Sequence, residues 1–137
     1  MRMFIDTSSL FKKYIDEPGS EEFAQLTLKA SEITVSPVTW IEANGIVERR
    51  FRNRDLTLER ADLLRAELKK DFLYFFVLAW NENLENKAVE LIRQHTLKTM
   101  DAIQLASGIL SDSDIFVTSD RQLHLAAKKA VRHVRFV

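Results

Sequence analysis

The sequence predicts an α/β fold built on a doubly wound parallel sheet. Short apolar runs alternate with longer amphipathic stretches along 137 residues, an order typical of strands connected by helices. The chain has 46% hydrophobic residues with only three Gly and two Pro, which indicates a compact, helix-rich protein. Its length predicts one domain over residues 1–137. Right-handed crossovers would bring the carboxyl ends of the strands to one rim of the sheet, where such folds form ligand sites.

Five apolar runs are the predicted strands. They span residues 3–5, 33–35, 72–78, 115–117 and 134–137. The run 72–78 is continuous and rich in aromatic residues, which favours a strand buried on both faces of a parallel sheet.

Seven stretches between these runs are the predicted helices. They span residues 8–15, 20–30, 38–52, 58–70, 82–95, 100–110 and 121–129. Residues 53–55 have the composition of a turn between two antiparallel helices. In the fourth helix, spacings of three and four put Leu58, Ala61, Leu64 and Leu68 on one face, so we expect that face to be buried.

The composition excludes several classes of function. Without cysteine there is no disulfide framework, thiolate zinc site or cysteine nucleophile. Twenty basic residues balance twenty acidic ones, which argues against a strongly basic nucleic-acid-binding module but allows an enzyme that meets phosphates through metal ions. We see no signal peptide, and the longest apolar run is too short to cross a bilayer. We therefore expect a cytoplasmic protein without a membrane partner.

Four acids lie at, or one to two turns beyond, strand-to-helix transitions on the predicted rim. These rim acids are Asp6, Glu42, Asp101 and Asp120. Taken singly, Asp6 and Asp120 have an ordinary explanation, because Asp6 is a good N-cap residue and residues beside either acid can also cap a helix. Thr7 or Ser8 would cap the first helix, and Ser119 with Gln122 fits a capping box that leaves Asp120 in the first turn.

Two interpretations remain open for Glu42. If Ser36 is the cap and Pro37 the first helical residue, Glu42 lies near the second turn and capping does not explain it. If Thr39 is the cap, Glu42 completes a Thr-x-x-Glu capping box.

Asp101 stands in a helix with almost no polar face, so we expect it to face inward. The residues one and two turns further on are Leu105, Gly108 and Ile109. A buried carboxylate needs a partner or a cation, because leaving it unpaired costs several kcal/mol. The alternative is that Thr99 caps the helix and the helix dipole favours Asp101 in the first turn.

The convergence of the rim acids on one place argues for a metal site. Clustered carboxylates raise one another's pKa unless a cation holds them. Oxygen ligands without Cys or His favour Mg²⁺ or Mn²⁺.

The segments that carry the rim acids are FIDTSSL, SPVTWIEANGIVER, LKTMDAIQLA and FVTSDRQL. In order and spacing they resemble the PIN-domain ribonucleases, particularly VapC-type toxins of toxin-antitoxin pairs, over nearly the whole chain. The resemblance implies a three-layer α/β/α sandwich with a central parallel sheet of four to five strands. It also implies that the rim acids are catalytic ligands of one or two Mg²⁺ or Mn²⁺ ions, that the Ser8 hydroxyl orients Asp6, and that Thr118 supports the site.

The resemblance further implies a metal-dependent endoribonuclease that leaves a 5′-phosphate on its product. Its expected partners are the RNA substrate, a cognate antitoxin and a second copy of the chain. Arg49, Arg50 and Arg52 are candidate RNA contacts, since such residues position a phosphate backbone. Basic residues near the carboxyl terminus are further candidates: Lys128, Lys129, Arg132 and Arg135. The alternative for both groups is a solvated helix face.

Two other functions remain open. An aspartate-based phosphatase or phosphotransfer domain would use Asp6 as nucleophile. Against it, Ser8 stands where the phosphatase motif has a second Asp. A non-catalytic interaction module with the same fold would use the acids to recognise a basic peptide.

Overall fold

Five parallel strands form one sheet in the computed structural model, which describes all residues 1–137. The strands are β1 (Arg2–Ile5), β2 (Glu32–Val35), β3 (Phe76–Val77), β4 (Ile115–Thr118) and β5 (Val134–Phe136). Their order across the sheet is β3-β2-β1-β4-β5, so β1 is central and the chain winds outward in both directions. The predicted doubly wound parallel sheet is confirmed.

Seven α-helices connect the strands. They are α1 (Thr7–Leu10), α2 (Ser20–Thr27), α3 (Thr39–Arg52), α4 (Leu58–Asp71), α5 (Glu82–Gln94), α6 (Thr99–Leu110) and α7 (Arg121–Ala130). The first predicted helix, 8–15, is wrong in length, because α1 gives way to a 3₁₀ turn at Phe11–Lys13. The other six agree with the prediction to within three residues. None of the helices combines the length and the apolar character that crossing a membrane requires.

The predicted buried strand over 72–78 is wrong. Only β3 within it pairs, and it lies at the edge of the sheet with both residues exposed. The aromatic residues before it serve a different purpose: the Phe72 ring lies 5.0 Å from that of Trp40 and 5.4 Å from that of Phe75, centroid to centroid. The apolar run therefore reflects aromatic packing of the segment after α4 on Trp40 of α3, which periodicity does not distinguish from a buried strand.

Successive residues of a strand point to opposite faces of the sheet, and this divides the core in two. Met3 and Ile5 of β1 pack with α1 to α4 on one face. Phe4 of β1 packs with α5, α6 and α7 on the other, where its ring stacks on Phe116 at 5.1 Å. A Cβ at Gly108 would lie 2.3 Å from the Phe116 ring, so glycine is what allows α6 to lie directly on the sheet. The result is the three-layer α/β/α sandwich.

The buried face predicted for α4 is confirmed in part. Ala61, Leu64 and Leu68 are buried, whereas Leu58 is 58% exposed. Leu58 is the first residue of α4 and lies at the end of the apolar arc away from Leu64, beyond the packed interface.

Candidate active site

Asp6 directly follows β1 and is the N-cap of α1. Its Oδ1 accepts a hydrogen bond from the backbone N–H of Ser9 at 2.9 Å. Its Oδ2 accepts from the hydroxyls of Ser8 at 2.7 Å and Thr118 at 2.8 Å. Of the candidate caps, Asp6 is confirmed and Thr7 and Ser8 are wrong, because Asp6 itself reaches the free N–H group. Burial raises the pKa of the Asp6 carboxyl, and these hydrogen bonds oppose the rise.

Asp120 is joined to Asp6 through Thr118. The Thr118 hydroxyl accepts from the backbone N–H of Asp120 at 3.0 Å while donating to Asp6. Asp120 is also the N-cap of α7, accepting from Leu123 N at 2.8 Å, so the predicted Ser119–Gln122 capping box is wrong. Two rim acids thus share one hydrogen-bonded frame at the ends of adjacent strands.

Glu42 lies in the first turn of α3, and both predicted starts of that helix are wrong. The helix begins at Thr39, with Val38 in the N-cap position and no side-chain cap. Glu42 completes no capping box. Its Oε1 instead accepts from the Thr7 hydroxyl at 3.0 Å and from Nε2 of Gln104 at 2.6 Å.

Gln104 is a candidate site residue that the sequence pattern did not reveal. Its Nε2 lies 2.9 Å from the Thr7 hydroxyl and 3.2 Å from that of Thr39, in addition to its bond to Glu42. The residue is 2% exposed, and its Oε1 is buried without a hydrogen-bond partner. The sequence did contain a signal, which is an amide side chain in a largely apolar helix. A buried polar group normally has hydrogen-bond partners, so such an amide indicates that other polar side chains lie beside it.

Asp101 lies in the first turn of α6 and forms no ion pair with any basic side chain. The pKa of its carboxyl is raised to about 6, chiefly by burial. The negative charges of Asp120, Glu42 and Asp6 raise this pKa as well, and the Lys98 ammonium lowers it. The four rim acids therefore share one electrostatic environment, although they come from four separate segments of the chain.

The predicted position of Asp101 in the first turn of its helix is confirmed, but the predicted cap is wrong. Lys98, not Thr99, occupies the N-cap position of α6, and it makes no side-chain cap. The neighbours Leu105 and Gly108 are buried as expected. Asp101 itself is half-buried, and the charges of the other three rim acids act on its carboxyl.

No basic side chain forms an ion pair with the rim acids. All nine ion pairs of the chain lie elsewhere. The donor set, carboxylates with supporting hydroxyls, is the one that hard divalent cations prefer. No three acidic or histidine side chains lie close enough together to hold one ion jointly as they stand. Because Mg²⁺ is commonly held by one or two carboxylates plus water and substrate phosphate, the donor chemistry still fits such an ion.

The family model described as the PIN domain matches residues 3–129. The chain belongs to the PIN domain family. No curated protein matches its sequence. Among solved structures it resembles VapBC2 from Rickettsia felis bound to a promoter DNA fragment, with a TM-score of 0.72 and 12% identity over 100% of this chain and 99% of that one.

Two further structures resemble this PIN domain. FitAcB from Neisseria gonorrhoeae has a TM-score of 0.71 and 15% identity, covering 98% of this chain and 96% of that one. VapC20 from Mycobacterium tuberculosis, described as a sarcin-ricin loop cleaving toxin, has a TM-score of 0.69 and 17% identity over 90% of this chain and 94% of that one. At these identities the likeness establishes the shared fold.

The candidate RNA contacts of this PIN domain lie along α3, beyond Glu42. Arg49 is exposed and, like Arg50, forms no ion pair, whereas Arg52 pairs with Glu48 at 3.0 Å. At 1.5 Å per residue Arg49 is roughly 10 Å from Glu42 along the helix axis. Of the carboxyl-terminal candidates, Arg135 pairs with Glu22 at 2.7 Å. Arg49 and Arg50 are therefore the candidates on α3 that have no competing acidic partner.

Proposed function

We propose that this PIN domain is a metal-dependent endoribonuclease and the toxin of a VapBC-type pair. The observation that carries the proposal is the set of rim acids, gathered at the carboxyl end of the sheet with no basic partner. A divalent cation would stabilise such a set of negative charges. We therefore assign all four acids as candidate ligands of one or two Mg²⁺ or Mn²⁺ ions. The named activity of VapC20 supports RNA as the substrate.

The chemistry proposed is hydrolysis of a phosphodiester bond. The rim acids would hold a divalent ion, which when bound would supply polarisation of the phosphate and a lowered pKa for the attacking water. Water attacks phosphorus, the P–O3′ bond breaks and the 3′ oxygen takes a proton, so the products carry a 5′-phosphate and a 3′-hydroxyl. The chain contributes orientation: three hydrogen bonds fix Asp6, and Thr7 with Gln104 fixes Glu42.

The burial of Asp6 favours hydrolysis over the aspartate phosphotransfer alternative. Both of its carboxylate oxygens accept hydrogen bonds and the residue is 2% exposed. A nucleophile has to reach phosphorus directly, whereas a ligand needs only one free lone pair, which Oδ1 keeps because it accepts a single hydrogen bond. Treating the protein with a phosphoryl donor should leave Asp6 unlabelled.

A cognate antitoxin is the proposed protein partner. A toxin-antitoxin complex from Klebsiella pneumoniae shares the fold, as does VapBC-1 from Haemophilus influenzae. The uncompensated negative charge of the rim acids would attract a basic segment of such a partner. We also propose that the protein is a homodimer and that it acts in the cytoplasm.

Cleavage of a panel of RNAs by purified protein tests the proposal. We expect cleavage with manganese, none with excess chelator, and a loss of at least about 100-fold in Asp101→Asn, because the ion and its orientation are disturbed. The matched control is Asp112→Asn, which makes the same change in a side chain that is 95% exposed. Undiminished cleavage by a folded Asp101→Asn protein would overturn the assignment.

A further inference from the structure

An exposed aromatic concavity lies beside the rim acids, where α7 begins and β5 ends. Four residues line this α7–β5 concavity, which has a volume of about 450 Å³: Arg121, His124, Leu125 and Phe136. Phe136 is 38% exposed and Leu125 is 62% exposed. Nothing in the hydrolysis described above uses these side chains.

The register of the sheet fixes the distance from this concavity to the rim acids. Phe136 pairs with Thr118, and the Asp6 N–H bonds to the carbonyl of Val117, the residue before Thr118. Asp6, Thr118 and Phe136 therefore form one row across three adjacent strands. Residues in one row project from the same face at intervals of about 4.8 Å, so Phe136 lies roughly 10 Å from Asp6, which is about the size of one nucleotide.

The lining side chains suit a flat aromatic ligand. The Phe136 ring meets His124 at a centroid distance of 5.5 Å and an interplanar angle of 62°. His124 makes no side-chain hydrogen bond, and its Nδ1 is buried without a partner, so packing holds its ring in place. An exposed ring braced in this way offers a π-face on which a base can stack.

Arg121 supplies a positive charge at the same place. It directly follows Asp120, is exposed and takes part in no ion pair. Arginine binds phosphate oxygens in a fork geometry and also stacks on planar groups. The pairing of a free cation with a small aromatic surface matches a nucleotide, which carries a phosphate and a planar base.

We propose that the α7–β5 concavity is a nucleobase subsite that holds the base next to the scissile phosphate. The base stacks on Phe136, and Arg121 contacts the adjoining phosphate. The inference rests on the proposed nuclease function, because the position of the subsite is defined relative to the rim acids. A concavity lined by four residues accommodates one base, whereas a protein segment needs a longer surface.

Binding of short RNAs with a single abasic nucleotide, placed at each position in turn, tests the subsite. The Asp101→Asn background prevents cleavage and lowers the negative charge at the site. Phe136→Leu should weaken binding of intact RNA about 5- to 150-fold, the equivalent of about 1–3 kcal/mol of stacking. It should weaken binding no further when the abasic position is the one that occupies the subsite, because the base is then already missing.

Two controls separate stacking from general damage. Phe136→Tyr keeps the ring and should bind as the parent does. Tyr74→Leu removes an aromatic ring that is 78% exposed near β3, at the other edge of the sheet, and should leave binding unchanged.

The outcomes are distinct. If Phe136→Leu binds intact RNA like the parent, or weakens every abasic RNA as much as the intact one, the subsite is overturned. If the variant loses a cognate protein partner while RNA binding is unchanged, the concavity is a protein contact and the subsite is overturned as well. Base-dependent binding without any manganese-dependent cleavage by the wild type would support the subsite and reject the nuclease function.

Discussion

Asp71 and Asp101 are two partly buried acids with opposite surroundings. The Asp71 carboxylate pairs with the Lys13 ammonium and accepts a hydrogen bond from the Tyr14 hydroxyl at 2.6 Å. Asp101 has no basic partner and stands among three other acids that raise its pKa. The first arrangement stabilises the fold, whereas the second is unfavourable for a chain without a bound cation. The absence of a partner, more than the presence of acids, distinguishes the candidate site from structural carboxylates.

The largest expected effect on stability comes from breaking the partnered acid. Asp71→Ala leaves the Tyr14 hydroxyl, in a residue that is 4% exposed, without its acceptor. We expect a loss of about 1–3 kcal/mol in the free energy of unfolding, measured by denaturant titration, with cleavage of RNA retained. A loss of cleavage in the folded variant would show that the two regions are not separate.

Gln104 donates a hydrogen bond to the Glu42 carboxylate, as Tyr14 does to the Asp71 carboxylate. Gln104→Met has a similar volume but lacks the donor for Glu42, Thr7 and Thr39. We expect about a 10-fold or greater loss in manganese-dependent cleavage, because residues that orient ligands commonly affect activity by about 10- to 100-fold. The free energy of unfolding should fall by about 1 kcal/mol, since buried hydrogen bonds are lost while the unpartnered amide oxygen is removed.

Cleavage rates and chemical denaturation of Gln104→Met, compared with Gln104→Glu, check this. Glutamate keeps the size of the side chain but adds a negative charge beside Glu42, so it should be the more damaging change. Wild-type cleavage by both variants would mean that the orientation of Glu42 has no part in the reaction.

Replacing the unpartnered acid should stabilise the protein when no metal is present. The pKa of Asp101 rises from 3.8 to about 6 in the folded chain, so between these pH values the folded state binds more protons than the unfolded state. The contribution of this group to stability therefore falls as the pH rises from about 4 to 6. Asparagine does not titrate, so the free energy of unfolding of Asp101→Asn does not fall in this way. The variant should therefore be more stable than the wild type above pH 6 and equally stable below about pH 4.

The gain from Asp101→Asn should stay below about 1 kcal/mol, because solvent screens a half-exposed group. Thermal unfolding in chelator across this pH range measures it. With added manganese the wild type should instead be more stable than Asp101→Asn, since a ligand that binds only the folded state stabilises it. Equal stability of the two proteins at every pH would mean that the rim acids do not repel one another.

The smallest expected effect concerns the basic end of α3. Changing Arg49 and Arg50 to Ala should weaken RNA binding a few-fold. It should also reduce the slope of log affinity against log salt by about 0.7 for each phosphate that these arginines neutralise in the wild type. Arg93→Ala, an exposed arginine on α5, is the control and should leave the slope unchanged. An unchanged slope in the double variant would mean that this end of α3 is an ordinary solvated helix face.

The sequence predicted the order of the elements because periodicity and turn composition are local signals. It failed at 72–78, where aromatic side chains ahead of a short edge strand pack on α3, and at the first helix, which ends after one turn. These outcomes depend on tertiary contacts that a local apolar pattern does not specify.

The general location of the candidate site was predictable, because the position of an acid directly after a strand is also a local signal. The positions of the rim acids after strands put them near one rim, and Asp6 was among the candidate caps, but the caps predicted for the other three helices were wrong. Asp6 and Asp120 act as caps themselves, while Thr39 and Thr99 do not. Gln104 was missed because its role comes from contacts with residues 97 and 62 positions away, Thr7 and Glu42.

Calorimetric titration with manganese tests most directly whether the unpartnered acids hold a cation. The wild type should bind the ion, and Asp71→Asn should bind it with the same affinity, because that acid already has its partners. Asp101→Asn should lose at least about 10-fold in affinity at pH 7. If the wild type takes up no manganese, or if Asp101→Asn binds it as tightly as the wild type does, the rim acids are not the metal site proposed for this PIN domain.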